Sequence, residues 1–242
     1  MATRGGPPRK GGRPAARAGS SAKGAKRAQP RPAKKSAPAA SSPPPPAGPF
    51  RLGVIPGATP GKWVDVWKAR MPRVELELVP VAVATQRRAL ARGEVDAAIV
   101  RLPIDRDGLS VIPLYEETTV VVCAADSHLT AADELTVEDL AGEILIVPGD
   151  DVLDLTVPGT EPPRFHPPET TEEAIATIAA GVGIVAVPMS LARLHHRKDV
   201  TFRPLAAAPT SPVALAWPAD GTTELVETFV GIVRGRTANS SR

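Results

Sequence analysis

From Phe50 onward the apolar positions follow two rhythms. Arg51-Leu52-Gly53-Val54-Ile55 is a short apolar run closed by Pro56-Gly57, which predicts a buried strand. Thr59-Pro60 then supplies a helix start, with Thr59 as N-cap and Pro60 at the first helical position. Trp63, Val64, Val66 and Trp67 form the apolar face of that helix, which ends before Pro72. Residues 74–79 alternate apolar with acidic, a period of two that predicts a second strand. A helix near 85–92 and a strand at 97–100 follow. Strand and helix alternating at short loop lengths predict a parallel sheet with covering helices.

The rhythm then breaks at a hairpin-like pair, residues 109–114 and 118–123. A short helix from Thr136, with Asp139 in its first turn, leads to a strand at 144–147. An irregular stretch at 149–163 and a weak strand pattern at 164–166 come next. Thr170-Thr171-Glu172-Glu173 has the form of a capping box, opening a helix whose Ala174, Ile175, Ile178 and Ala179 face a core. Strands at 184–187, 200–205 and 213–217 and helices at 189–196 and 222–233 complete the chain. The last strand and helix lie far from the first βα group. The expectation is therefore an α/β fold of two Rossmann-like lobes joined by crossover strands. Lobe I takes about 50–122 and 206–236, and lobe II about 123–205.

Residues 1–49 have a different texture. They hold eleven Pro, seven Gly and twelve Ala, with Met1 as the one large apolar side chain. Nothing there offsets a backbone ordering cost of roughly 1–2 kcal/mol per residue, so a disordered tail is expected, as is a flexible end at 237–242. The tail carries eleven of the 29 Lys/Arg and no acid. The remaining eighteen face all 26 Asp/Glu, so a +11 tail precedes a −8 body. Paired cations such as Arg9-Lys10, Lys26-Arg27 and Lys34-Lys35 suit phosphate contacts. Without an aromatic residue to stack on bases, such contact would be non-specific toward DNA. The competing reading is a solubilising tail.

Several classes are excluded. No apolar run is long enough for a membrane helix, and no apolar stretch follows the basic start as it would in a secretory signal. A single cysteine, Cys123, rules out a disulfide framework, and the expected location is cytoplasmic. No G-x-S-x-G, P-loop or H-E-x-x-H occurs, so no enzyme, cofactor or metal is expected. Gly181 to Ala186 spells G-x-G-x-x-A, but between a helix and a strand, the reverse of a dinucleotide site. His195-His196-Arg197-Lys198 reads as a solvated basic helix end, favoured by the helix dipole.

The ordered motifs carry a resemblance. Residues 51–79, Gly93-Glu94-Val95-Asp96-Ala97-Ala98-Ile99-Val100-Arg101, Pro113-Leu114-Tyr115-Glu116-Glu117, Ser127-His128-Leu129, Val137-Glu138-Asp139-Leu140 and the run Ala179 to Pro188 resemble, in order, the effector-binding domain of LysR-type transcriptional regulators. Thr59 to Trp63 and Gly231 to Arg236 are similar to an actinobacterial, stand-alone type. The resemblance implies a type II periplasmic-binding-protein fold over 50–236 with a small organic effector in the cleft. It also implies a homodimer or a partner regulator. A full regulator of this family opens with a winged helix-turn-helix, which the apolar-poor residues 1–49 do not match.

Candidate cleft residues follow from strand ends and helix starts, where ligands of α/β folds sit and where free N–H groups favour anions. In lobe I they are Gly57, Thr59, Gly61 and Lys62, with Arg101 after the third strand. Arg101 suits a bidentate clamp on a carboxylate, or else a structural ion pair with Asp105 or Asp107. In lobe II they are Pro148, Gly149, Thr170 and Thr171. Asp150 and Asp151 would repel an anion, which leaves the ligand's charge open. Trp63 and Trp67 share one helical face, so at least one is expected in the core, and the resemblance implies a dimer interface for the other. The expected function is small-molecule sensing in transcriptional regulation; non-specific nucleic-acid association and solute reception are the alternatives.

Overall fold

The computed structural model describes residues 48–235. The expected tail, apart from Gly48 and Pro49, and the expected flexible end at 237–242 lie outside them. In chain order the elements are β1 (Phe50–Val54), α1 (Gly61–Arg70), β2 (Leu76–Pro80), α2 (Gln86–Ala91), β3 (Ala97–Arg101), β4 (Leu109–Glu117) and β5 (Thr119–Ala124). Then come α3 (Thr171–Ala179), β6 (Val185–Pro188), α4 (Met189–Leu194), β7 (Val200–Pro204), β8 (Ser211–Pro218) and α5 (Glu224–Val233). They build a five-stranded sheet, ordered β2-β1-β3-β8-β4, and a three-stranded sheet, ordered β6-β5-β7.

The parallel expectation holds where strands alternate with helices: β1 runs parallel to both β2 and β3. The remaining ladders between the named strands are antiparallel. The expected hairpin at 109–123 does not form. β4 pairs with β8, whereas β5 pairs with β6 and β7. Thr118 alone separates the two strands, too little chain for a reversing turn, so the backbone runs on from one sheet into the other. Residues 119–122, assigned to lobe I from sequence, therefore lie in the second sheet. The return crossing falls between β7 and β8.

Three local expectations fail for visible reasons. Pro60, not Thr59, occupies the cap position of α1, and no side chain caps that helix. Residues 144–147 make only isolated bridges, Ile144 to Glu161 and Leu145 to Ile184. Residues 164–166 form no strand; they sit between Pro162-Pro163 and Pro167-Pro168, four residues without an N–H to donate.

The first core centres on three rings. Phe50 stacks on Trp67 at 4.7 Å between centroids, and Phe229 of α5 closes on both at 5.3 and 6.0 Å. Trp67 is fully buried and donates its Nε1–H to the Val74 carbonyl at 3.0 Å, so it is a core residue. Trp63 packs half-buried against the same cluster. In the second core Val120, Val122, Ile146, Ile175, Ile178, Val185 and Val187 meet between β5, β6 and α3. Cys123 packs on the other side of β5 with Leu129, Leu135 and Leu140, where burial pushes its thiol pKa up. Gly183 explains why the turn into β6 carries glycine: its φ is +67°, and a Cβ would stand 2.5 Å from the Ile144 carbonyl oxygen.

Candidate functional site between the two sheets

The loops that follow the strands of the two sheets face one another across a cavity of about 450 Å³. Pro56, residues 82–84 and Arg101 wall it from the first sheet; residues 149–152 and 170–172 wall it from the second, with Leu191, Leu194 and His195 of the α4 region. The cavity thus brings together Arg101, Gly149, Thr170 and Thr171, four of the residues expected from sequence. Gly57 and Thr59 instead line a neighbouring cavity of about 560 Å³, with Tyr115, Glu117, Ser190 and Arg193. Pro148 lines neither of these; it borders a space of about 10 Å³ inside the second lobe. Gly61 and Lys62 are exposed on α1 and line neither cavity.

Arg101 is the centre of the polar structure. Its guanidinium is 2% exposed and donates from Nη1 to Glu117 Oε2 at 3.0 Å and to Ser211 Oγ at 2.6 Å. Gln86 fixes its backbone from both sides, donating to the Arg101 carbonyl at 2.7 Å and accepting from its N–H at 2.9 Å. The alternative of an ion pair with Asp105 or Asp107 is not realised; the internal carboxylate is Glu117. Asp105 stands 3.8 Å from Arg87 Nε, and the Asp107 carbonyl accepts from Arg87. Arg101 Nε and Nη2 have no hydrogen-bond partner. Leaving a buried donor unpaired costs about 1–3 kcal/mol, and both of these atoms are covered.

Glu117 joins the lobes. Besides Arg101 of β3, its Oε2 accepts from Ser190 Oγ of α4 at 2.8 Å. Ser190 in turn sits where a side chain on Gly57 would be: with φ at +83°, a Cβ there would lie 2.5 Å from Ser190 Oγ. Only glycine lets the loop after β1 approach α4 this closely. Tyr115, beside Glu117, has its phenol pKa raised by partial burial and then by the Glu117 charge, which favours the protonated donor form.

At the N-terminus of α3 the capping role expected of Thr170 is filled. Thr170 Oγ1 accepts from Glu173 N–H, as an N-cap does, at 3.2 Å. Asp150 Oδ1 accepts both the N–H and the hydroxyl of Thr171, at 2.7 and 2.8 Å. Glu173 reaches back to Glu169 N–H at 3.0 Å. The protein's own oxygens thus already occupy these donors.

The chain matches the model of the LysR substrate binding domain over residues 44–238. This chain belongs to that family. Similar curated proteins include the Hca operon transcriptional activator HcaR of Escherichia coli K12, 25% identical over 203 residues, or 78% of this chain and 68% of that protein. AlsR of Bacillus subtilis 168 is 25% identical over 180 residues, 70% of this chain and 59% of that protein. This LysR-type domain thus spans roughly three fifths to two thirds of their length. Among solved structures it is similar to the BenM effector binding domain with its effector benzoate, with a TM-score of 0.64 and 20% identity over 78% of this chain and 91% of that one. That likeness is one of fold: two α/β lobes around a cleft. The relatives are named as transcriptional regulators rather than enzymes.

Glu117, Ser190, Ser211 and Gln86 were not anticipated from sequence. Glu117 and Ser190 stand 73 positions apart, and Arg101 and Ser211 stand 110 apart, so no spacing rule joins them.

Proposed function

We propose that this LysR-type domain senses a small organic effector in the cavity between its sheets and passes occupancy on to transcriptional control in the cytoplasm. The observation that supports the reading is a cavity walled by loops of both lobes, with the buried Arg101 among its lining residues. About 450 Å³ lies within the range that encloses small ligands. A ligand touching both lobes favours one relative orientation over others, and its differential affinity sets the size of the switch. A homodimer or a partner regulator would carry the signal onward. Among the described residues no helix is long and apolar enough to cross a membrane.

The test is calorimetric titration of the full chain against small organic acids, amino acids and their esters, beside an Ala84→Trp variant that fills the cavity from an exposed wall position. A saturating ligand at about 100 times its Kd should stabilise the protein by about 2.7 kcal/mol, and Ala84→Trp should abolish this. Binding that survives Ala84→Trp unchanged would move the site elsewhere.

The eleven tail cations support a further contact with DNA phosphates that is indifferent to sequence. Anisotropy with the full chain should then show affinity falling by about 10³–10⁵ between 50 and 200 mM salt. No binding at either salt would leave the tail without that role.

A further inference from the structure

We propose that Gly57 and Ser190 form a stop between the two lobes: contact of the loop after β1 with the first turn of α4 sets the angle at which the lobes stand, and with it the width of the cavity between them. Such a stop acts whatever ligand the cavity takes.

Sheet order supplies the lever. The chain crosses between the sheets at Thr118 and again between β7 and β8, so both crossings hang on β4 and β8. These are adjacent strands at one side of the first sheet, and β3 separates β8 from β1. Two crossings alone leave the lobes free to turn about the line that joins them. With neighbouring strands about 4.8 Å apart, the loop after β1 starts about 10 Å from β8. A contact at that distance holds the turn at one angle.

The contact is close and it is backed. A Cβ on Gly57 would lie 2.5 Å from Ser190 Oγ and 2.8 Å from Ser190 Cβ, so nothing larger than glycine fits while the lobes stand as they do. Ser190 is held from behind. Its Oγ donates to Glu117 Oε2 at 2.8 Å, and Arg101 Nη1 donates to the same oxygen at 3.0 Å. Arg101 is fixed in turn by Ser211 and, through its backbone, by Gln86. Among these side chains Ser190 alone belongs to the second lobe. Its neighbour Met189 donates an N–H to the Thr118 carbonyl at 3.0 Å, which ties the start of α4 to the first crossing. The same contact divides the space between the lobes. Pro56, Leu191 and Arg101 line the cavity of about 450 Å³, whereas Gly57, Ser190 and Glu117 line that of about 560 Å³. Parting the loop from α4 would join the two.

The experiment is double electron–electron resonance on the full chain, spin-labelled at Lys68→Cys on α1 and Ala176→Cys on α3. Both positions are exposed, and the native Cys123 is fully buried. The parent should give one narrow distance distribution. Gly57→Ala, whose methyl meets Ser190, should shift the mean, and Ser190→Gly added to it should return the mean toward the parent's. Both variants carry the same alanine at a φ of +83°, so its backbone cost cancels between them. Ser190→Gly alone removes the stop and adds no atom, so its distribution should broaden. A broad parent distribution, a Gly57→Ala mean equal to the parent's, a shift that Ser190→Gly leaves in place, or a Ser190→Gly spread no wider than the parent's would each overturn the stop. If Gly57→Ala fails to fold, the spread of Ser190→Gly decides alone.

Discussion

The two lobes share a chain but are held together by different means. The first relies on long strand ladders and on the Phe50, Trp67 and Phe229 rings, which put large apolar surfaces in contact. The second has three short strands around an aliphatic core, and residues 125–170 contribute only two 3-10 turns and isolated bridges between β5 and α3. Side chains organise that stretch instead. Ser127 accepts from Leu129 N–H, Asp139 from Thr136, and Asp151 from Leu153 and Asp154. These contacts fix backbone locally, while Arg203 of β7 ties the stretch to the sheet through the Thr130 and Ala132 carbonyls. The comparison teaches two ways of fixing a chain: a ladder-built lobe positions Arg101, and a lobe held by caps and turns supplies loops that line the cavity.

The largest test of this contrast is core truncation. Phe229→Ala should cost about 3–5 kcal/mol in urea unfolding, and Ile178→Ala toward the lower end of about 2–5 kcal/mol. A larger loss at Ile178 would mean that the aliphatic core is the tighter one. A smaller test compares two caps. Thr223 Oγ1 accepts from Val226 N–H at the start of α5, and Thr170 does the same for Glu173 at α3. Either change to Ala should cost about 1 kcal/mol, but only Thr170→Ala should also weaken ligand binding. Equal binding in both variants would remove Thr170 from the site.

The smallest effect concerns pH. The Thr136 backbone N–H, at 2.7 Å, and then its hydroxyl hold the Asp139 carboxyl below the usual carboxylate range. A depressed native pKa stabilises the fold above the unfolded value, and the contribution disappears as pH falls through the native one. Asp139→Ala should therefore melt slightly lower than the parent near neutral pH, with the two converging in acid. A gap that persists unchanged in acid would assign the loss to something other than this carboxylate.

Much of the fold was legible because local rules decide it. The alternation at 74–79 and the box at Thr170 to Glu173 each point to one local structure, although β2 begins two residues late and the expected bridge from Glu173 lands on Glu169 rather than Thr170. The break at 109–123 was misread because two apolar runs in succession look the same whether they pair with each other or with strands far away. At the site, Arg101, Gly149, Thr170 and Thr171 were visible as ends of elements. Their partners were not, since Glu117 and Asp150 acquire their roles only when residues 16 to 73 positions apart are brought together.

The place of β8 has a consequence for how the molecule comes into being. It lies between β3 and β4 and is the strand with which β4 pairs, so residues 109–117 wait for residues 211–218 to leave the ribosome before they can join a sheet. The second sheet, built from one continuous stretch of chain between 119 and 204, is under no such delay. At synthesis rates of about 5–20 residues per second, the later-placed lobe can mature first, and β3 keeps an open edge in the interval. Arg101 sits at the end of that edge and Ser211 opens the strand that covers it. The cavity is therefore among the last parts of the nascent protein to take shape.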